Sequence, residues 1–335
     1  VGGTRTFKTA GAGNKLDFSS WTNFKPSTMA NAFRLVQVGT NPTDVTEINL
    51  SSWDFTGVSN WTNAFRECYY VEEINGIQNF RIAAGGRIDY IFYVCRRLNL
   101  TNYNFSAQFI TDFNSNCTNT HGAFVSLGSL SSVANPGPNL VGLDISNVTN
   151  LQGMFQSLKS SNDYAVIINN FTCNSAVAKS MNSFCYVTTN CRQTTALDLS
   201  GWTAKFTGGV TNSFRSANIA TADFGNNIDF SAVTSLSHMF YRVASQTPTT
   251  SVSWGNSLDL SSLTYGVNML YASDNMGQAN YENFLIRMNA TWNTAIPPTG
   301  AISAGVSQYA VGSAAETAKN NLIANGWTFV DGGAV

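Results

Sequence analysis

The chain is 335 residues long with a formal net charge of -1, and only 11% of its residues are charged, against the ~25% usual for soluble domains. That balance gives no basic footprint for nucleic acid and no polybasic patch for a membrane surface. No stretch approaches the ~20 consecutive apolar residues needed to cross a bilayer, so neither nucleic acid nor direct membrane insertion is expected.

Residues 1–15 are Gly-rich and start at Val1, so they are expected to continue from a preceding domain. From Leu16 two kinds of unit alternate. The first is an apolar-polar-apolar triplet followed by Ser or Thr. Its copies are Leu16-Asp17-Phe18-Ser19, Ile48-Asn49-Leu50-Ser51, Leu98-Asn99-Leu100-Thr101, Leu143-Asp144-Ile145-Ser146, Leu197-Asp198-Leu199-Ser200, Ile228-Asp229-Phe230-Ser231 and Leu258-Asp259-Leu260-Ser261, with Ile74-Asn75-Gly76 a weaker one. Period two predicts a strand.

The second unit is an octad with apolar or small residues at steps 0, 3, 6 and 7, ending in phenylalanine in eight of nine copies. The terminal residues are Phe33, Phe65, Phe92, Phe113, Phe155, Phe184, Phe214, Phe240 and Leu270. Such steps return to one face of a helix with 3.6 residues per turn, so each octad predicts a short helix. Residues 121–139 are rich in Gly, Ser, Pro and Asn and are expected to form an inserted surface loop.

The predicted fold is therefore an α/β repeat solenoid: a leucine-rich-repeat-like stack of about nine irregular coils, each a short strand plus a short helix, over residues 16–275. Residues 276–335 should form a C-terminal capping region. Ser313-Ala314-Ala315-Glu316 has capping-box spacing, Asn325-Gly326 is a fitting helix stop, and Trp327 to Val330 is strand-like.

Triplet and octad together resemble the BspA-type leucine-rich-repeat surface proteins of bacteria, also found among phage structural proteins. Val148 to Phe155 and Val233 to Phe240 carry the likeness most closely. The resemblance implies adhesion and surface recognition rather than catalysis, and a place outside the cell, on a virion or cell surface.

Cys68 and Cys95 each follow their repeat's phenylalanine by three residues, and Cys117 follows Phe113 by four. Neighbouring coils would bring such a column within disulfide reach, but free thiols packed as small hydrophobes are the favoured reading. Cys173, Cys185 and Cys191 could contribute one pair. No Cys-x-x-Cys or Cys/His pairing supports a zinc site, and no cofactor is expected. His121 and His238, the only histidines, come with no acid and nucleophile constellation, so no catalytic residue is assigned.

Two residue sets are candidate binding surfaces. In each triplet the apolar residues should face the core and the middle residue outward. The result is a polar stripe of Asp17, Asn49, Asn99, Asp144, Asp198, Asp229 and Asp259, suited to sugar hydroxyls. A merely solvated strand face is the plainer alternative, and bound calcium could relieve the aspartate repulsion. The second set follows the phenylalanine: Arg34, Arg66, Arg215, Tyr93 and Tyr241, of residue types favoured at interfaces. Its alternative is a structural role covering core edges. Trp21, Trp53 and Trp202 are expected to be packing residues.

Three functions fit these features. The first is a non-enzymatic recognition module, a phage tail-fibre or cell-surface adhesin binding host-surface polysaccharide or protein. The second is a structural virion or surface-layer subunit packed against sister subunits. A polysaccharide depolymerase is the least supported.

Overall fold

The computed structural model describes residues 15–36, 45–99, 105–128, 140–158, 168–186, 196–217, 219–242, 248–271 and 274–335. The Gly-rich segment 1–14, residues 129–139 of the expected insertion, and Leu100, Thr101 and Cys191 lie outside them. The chain forms two compact units, Val1–Asn162 and Asp163–Val335.

In the first unit β1 (Lys15–Asp17), β2 (Glu47–Asn49) and β3 (Glu73–Asn75) pair in parallel. Their register aligns Leu16 with Ile48 and Ile74, and Asp17 with Asn49 and Asn75. The triplet pattern thus sets the pairing: a slip of one residue would turn the buried leucine and isoleucines outward. A second parallel row runs through Thr28, Asn60 and Arg87, where β4 (Gly86–Arg87) pairs with β5 (Cys117–Asn119), and on from Asn119 to Asn150. One α-helix, α1 (Ala107–Asn116), starts at an N-cap where Ser106 accepts from the Phe109 N–H.

The second unit holds β6 (Asn174–Lys179), β7 (Leu197–Asp198), β8 (Thr203–Gly209), β9 (Thr221–Asp223), β10 (Ile228–Ser235) and β11 (Ser251–Ser253). They form two parallel sheets, ordered β10-β8-β6 and β11-β9-β7. Helices α2 (Gln278–Thr291) and α3 (Ala314–Ala324) follow, with β12 (Ile302–Ser303) paired to β14 (Phe329–Val330) and β13 (Gln308–Tyr309) to β15 (Gly333–Ala334). Ser313 caps α3 as its spacing implies, accepting from the Glu316 N–H, while the Glu316 carboxylate reaches back to the Gly312 N–H, one residue short of the reciprocal bond of a full capping box.

The expected solenoid of strand-plus-short-helix coils is not what forms. Among the described residues there are three α-helices and six small parallel sheets, and only the octad Ser106–Phe113 lies in an α-helix. None of the others is helical: Gly85–Phe92, Val177–Phe184, Thr207–Phe214 and Val233–Phe240 open on strands β4, β6, β8 and β10 before turning, the rest are tight turns and bends, and the reason lies in their hydrogen bonds. Around Phe65, alternate N–H groups leave the repeat: Trp61, Asn63, Phe65 and Glu67 donate to the carbonyls of Arg87, Asp89, Ile91 and Tyr93. Those between them close local turns, Ala64 to Trp61, Arg66 to Asn63 and Cys68 to Phe65. The Phe214 repeat does the same toward Ser235, Ser237, Met239 and Tyr241. Half of the donors are thus committed to the next repeat, which forbids the i to i−4 ladder of a helix. Every fourth residue turns left-handed, as at Asn63 (φ 57°) and Glu67 (φ 63°), or Asn212 (φ 58°) and Ser216 (φ 55°), which also breaks a helix.

The turns stack their phenylalanines. In the first unit Phe33, Phe65, Phe92, Phe124 and Phe155 lie ring over ring, centroids 5.4, 5.6, 6.2 and 5.7 Å apart. Phe124 therefore holds the place given to Phe113, which belongs to α1, and residues 121–128 are a repeat rather than part of an insertion. In the second unit Ser183 and Cys185 donate to Thr211 and Ser213. That register puts Cys185 in line with Phe214, one residue beyond the expected Phe184. Cys68, Cys95 and Cys117 are buried free thiols, and Cys173 and Cys185 are buried as well. Trp53 and Trp202 are buried as packing residues, whereas Trp21 is 50% exposed and stacks on Trp53.

Candidate functional site

The Asp/Asn column serves first as turn closure. A side-chain oxygen of Asp17, Asn49, Asp144, Asp198, Asp229 or Asp259 accepts the backbone N–H two residues on, at 2.9, 3.1, 2.8, 2.9, 2.8 and 2.8 Å respectively. This is the local bond that Asp and Asn make where a chain must turn. Bonds from Ser19 hold the Asp17 carboxyl below its usual range, and those from Ser200 do the same for Asp198. At Asp229 burial opposes the shift, but Ser231 and Lys205 outweigh it. The Asn99 N–H donates to the Glu72 carbonyl, and the residue two on from it, Thr101, lies outside the described residues.

Nor do the aspartates form one continuous stripe. Asp198 pairs in register with Asp223, and Asp229 with Lys205, whose Nζ lies 3.2 Å from its carboxylate. In the first unit Lys15 bridges Asp17 and Glu47, at 3.8 and 2.7 Å. Lysine thus relieves charge repulsion at Asp17 and at Asp229; among the described residues there is no group of three or more His, Cys, Asp or Glu that could hold a metal ion.

The column after the phenylalanine is brought together, and more fully than the sequence suggests. In the second unit the Arg215 guanidinium lies 5.1 Å from the Tyr186 ring and 5.3 Å from the Tyr241 ring, and Tyr241 meets Tyr271 edge-on at 5.5 Å. Arg215 also donates to Asn212 Oδ1 at 3.2 Å. Arg242 lies over Tyr271 at 4.9 Å and is anchored from behind by buried Asp274, 2.6 Å away. Tyr186, Arg215, Tyr241 and Tyr271 are all half-buried.

The first unit repeats the arrangement. Arg66 lies 4.8 Å from the Tyr93 ring and 5.3 Å from Tyr90, with Glu67 Oε1 at 3.2 Å, and Arg34 is exposed one repeat away. Tyr90 packs on His121, centroids 4.6 Å apart. Such guanidinium-aromatic contacts are each worth ~0.5–1 kcal/mol at exposed sites, and they hold the arginines in place. Tyr186 and Tyr271 were missed in the sequence. Tyr271 follows Leu270 directly and was there to be seen, but Tyr186 falls out of line unless Cys185 is placed in the column.

Beside Ser200 an open polar cleft is lined by Asp223, Asn226, Ser253, Asn256 and Asn283. Its groups are the amides, hydroxyls and carboxylate that pair with sugar hydroxyls. His238 has Ser237 Oγ 3.0 Å from Nδ1 and the Asn268 amide 3.2 Å from Nε2. The Ser237 hydroxyl donates to the Val267 carbonyl at 2.8 Å, so that proton is committed to structure and an amide stands where a triad would place an acid. No helix among the described residues is long and apolar enough to cross a membrane.

A family model described as "Mycoplasma protein of unknown function, DUF285" matches residues 4–129 and again residues 128–254. No curated protein and no solved structure matches the chain.

Proposed function

The chain belongs to the DUF285 family, and we propose that it is a non-enzymatic recognition module, displayed on a virion or cell surface and binding a host-surface polysaccharide or protein. The observation that carries this reading is the preorganised Arg/Tyr stripe of each unit, above all Tyr186, Arg215, Tyr241 and Tyr271. Arginine and tyrosine dominate binding hot spots because they bring large, rigid contact area with a polar tip. A stripe already stacked loses little conformational freedom on binding. The contacts made by the Arg215 side chain, to Asn212, Tyr186 and Tyr241, are all with neutral groups. Its charge therefore suits an acidic ligand, such as a uronic-acid-bearing polysaccharide or an acidic protein face. The polar cleft beside Ser200 adds hydroxyl-matching groups, and the resemblance to BspA-type surface proteins points the same way.

The test is binding of the purified chain to intact host-type cells and to an array of acidic and neutral polysaccharides, with reducing ends assayed in parallel. Retention on cells or on acidic polysaccharides without release of reducing sugar is expected. Release of reducing sugar would replace recognition by hydrolysis, and absence of any binding would favour a structural subunit.

A further inference from the structure

The C-terminal region of the second unit contains a buried cluster that recognition leaves unused. Lys319, on α3, places Nζ 2.7 and 3.0 Å from the two carboxylate oxygens of Asp331, in the turn between β14 and β15. The two side chains are only 11% and 5% exposed. The ammonium sits 4.7 Å from the Tyr309 ring centroid and 5.7 Å from that of Phe329. From α2 the buried Tyr281 hydroxyl donates to Asp331 Oδ2. The Gly333 N–H donates to Oδ1 at 3.1 Å.

These are groups that acyl transfer uses: an amine held on both oxygens of a carboxylate, an N–H on one oxygen, and a hydroxyl on the other. We propose that Lys319 and Asp331 are the partners of a self-formed amide cross-link. The ammonium first passes a proton to the carboxylate, leaving a neutral amine and a carboxylic acid. Nζ then attacks Cγ, a C–N bond forms, and the oxyanion on Oδ1 is held by the Gly333 N–H. A second proton moves from nitrogen to Oδ2, the C–Oδ2 bond breaks, and Oδ2 leaves as water. Tyr281 hydrogen-bonds the departing oxygen and ends with its own proton. One ammonium and one carboxylate become one amide and one water, with charge balanced and no oxidant or co-reactant needed.

Two physical terms favour the step. Holding the reacting atoms together replaces an encounter in solution, an advantage that reaches effective molarities of ~10⁵ M or more. Burial makes the ion pair expensive to keep, because desolvation opposes both charges, while the amide carries none. Burial, then the bond to Asp331, push the Tyr281 phenol far above its usual range, so it stays protonated as a donor. The product would tie α3 to the last two strands, each only two residues long.

A plain buried ion pair has the same atoms in the same places, and the two states differ by one water of mass. Intact-mass measurement of the full chain, purified, held at neutral pH and then denatured, is expected to find it one water lighter than its sequence. Proteolysis should release a branched peptide joining Lys319 to Asp331. Because Gly332 follows Asp331, a cyclic imide would also lose water, so Lys319→Arg is the control: it keeps the cation and must return the full sequence mass. Tyr281→Phe should lower the rate of cross-linking by about a hundredfold or more, the lower edge of what a positioned proton donor contributes. Folded wild-type protein at full sequence mass, or a water loss that persists in Lys319→Arg, overturns the proposal.

Discussion

At each Asp or Asn that closes a triplet, one side-chain oxygen is already bound to the backbone N–H two residues on, so the residue's first duty is conformational. Removing the acceptor at Asp198 or Asp229 should cost about 1 kcal/mol, the usual net worth of such a bond. Thermal unfolding of Asp198→Ala and Asp229→Ala checks this, and unchanged midpoints would contradict it. The left-handed positions allow a converse experiment. Asn31, Asn63 and Asn212 occupy them comfortably, but Val94 holds φ 60° with a branched side chain, a conformation such residues avoid. Relief of that strain exceeds the chain entropy that glycine adds. Val94→Gly should therefore raise stability by about 1 kcal/mol, and a lowered midpoint would count against this reading of the turn.

Turns and strands together explain what the sequence could and could not disclose. Steps of 0, 3, 6 and 7 place side chains on one side of a helix, but a run of tight turns that sends alternate N–H groups to the next repeat does so as well. Periodicity alone cannot separate the two. The triplets and the phenylalanine column were legible because both are core contacts written in residue type. Phe124 was hidden because its repeat opens with Cys117 and Thr120 and runs into a Gly- and Ser-rich stretch. Ser106–Phe113 imitated an octad because it is a true helix burying Phe109 and Phe113. At the candidate site the arginines were legible and their stacking was not, since a cation over a ring depends on register between repeats. Two measurements follow at this scale. Far-UV circular dichroism should show little helix, well below what nine helical octads would add. Truncating Phe65, stacked between Phe33 and Phe92, should cost about 3–5 kcal/mol. A strongly helical spectrum, or a Phe65→Ala variant as stable as the parent, would contradict the stacked-turn description.

Over the whole molecule, low charge density leaves few groups to titrate near neutrality, and the two histidines dominate there. Burial depresses the pKa of His121, against the pull of Asp89, and that of His238, where Arg215 adds to the effect. The unfolded chain therefore binds protons near pH 6.5 that the folded protein resists. The stabilisation is complete above that value and is lost as pH falls below it. Midpoints should be level from about pH 8 to 7 and decline below about pH 6.5, with a shallower decline in His238→Gln. A midpoint that rises on mild acidification would refute this. The aspartates held low by their turns, Asp17 and Asp198 among them, add a further loss below pH 3.8.

Recognition by the Arg/Tyr stripe is most directly tested by measuring cell or polysaccharide binding and thermal midpoint on the same preparations of two double variants. Arg215→Ala/Tyr241→Ala should lose binding at least about tenfold, as removal of a hot-spot pair does, while unfolding within about 1–2 kcal/mol of the parent, the worth of the contacts it removes. Asp198→Ala/Asp229→Ala should lose stability and keep binding. If instead the aspartate variant loses binding at an unchanged midpoint while the Arg/Tyr variant binds normally, the recognition surface lies on the triplet column and the stripe is structural.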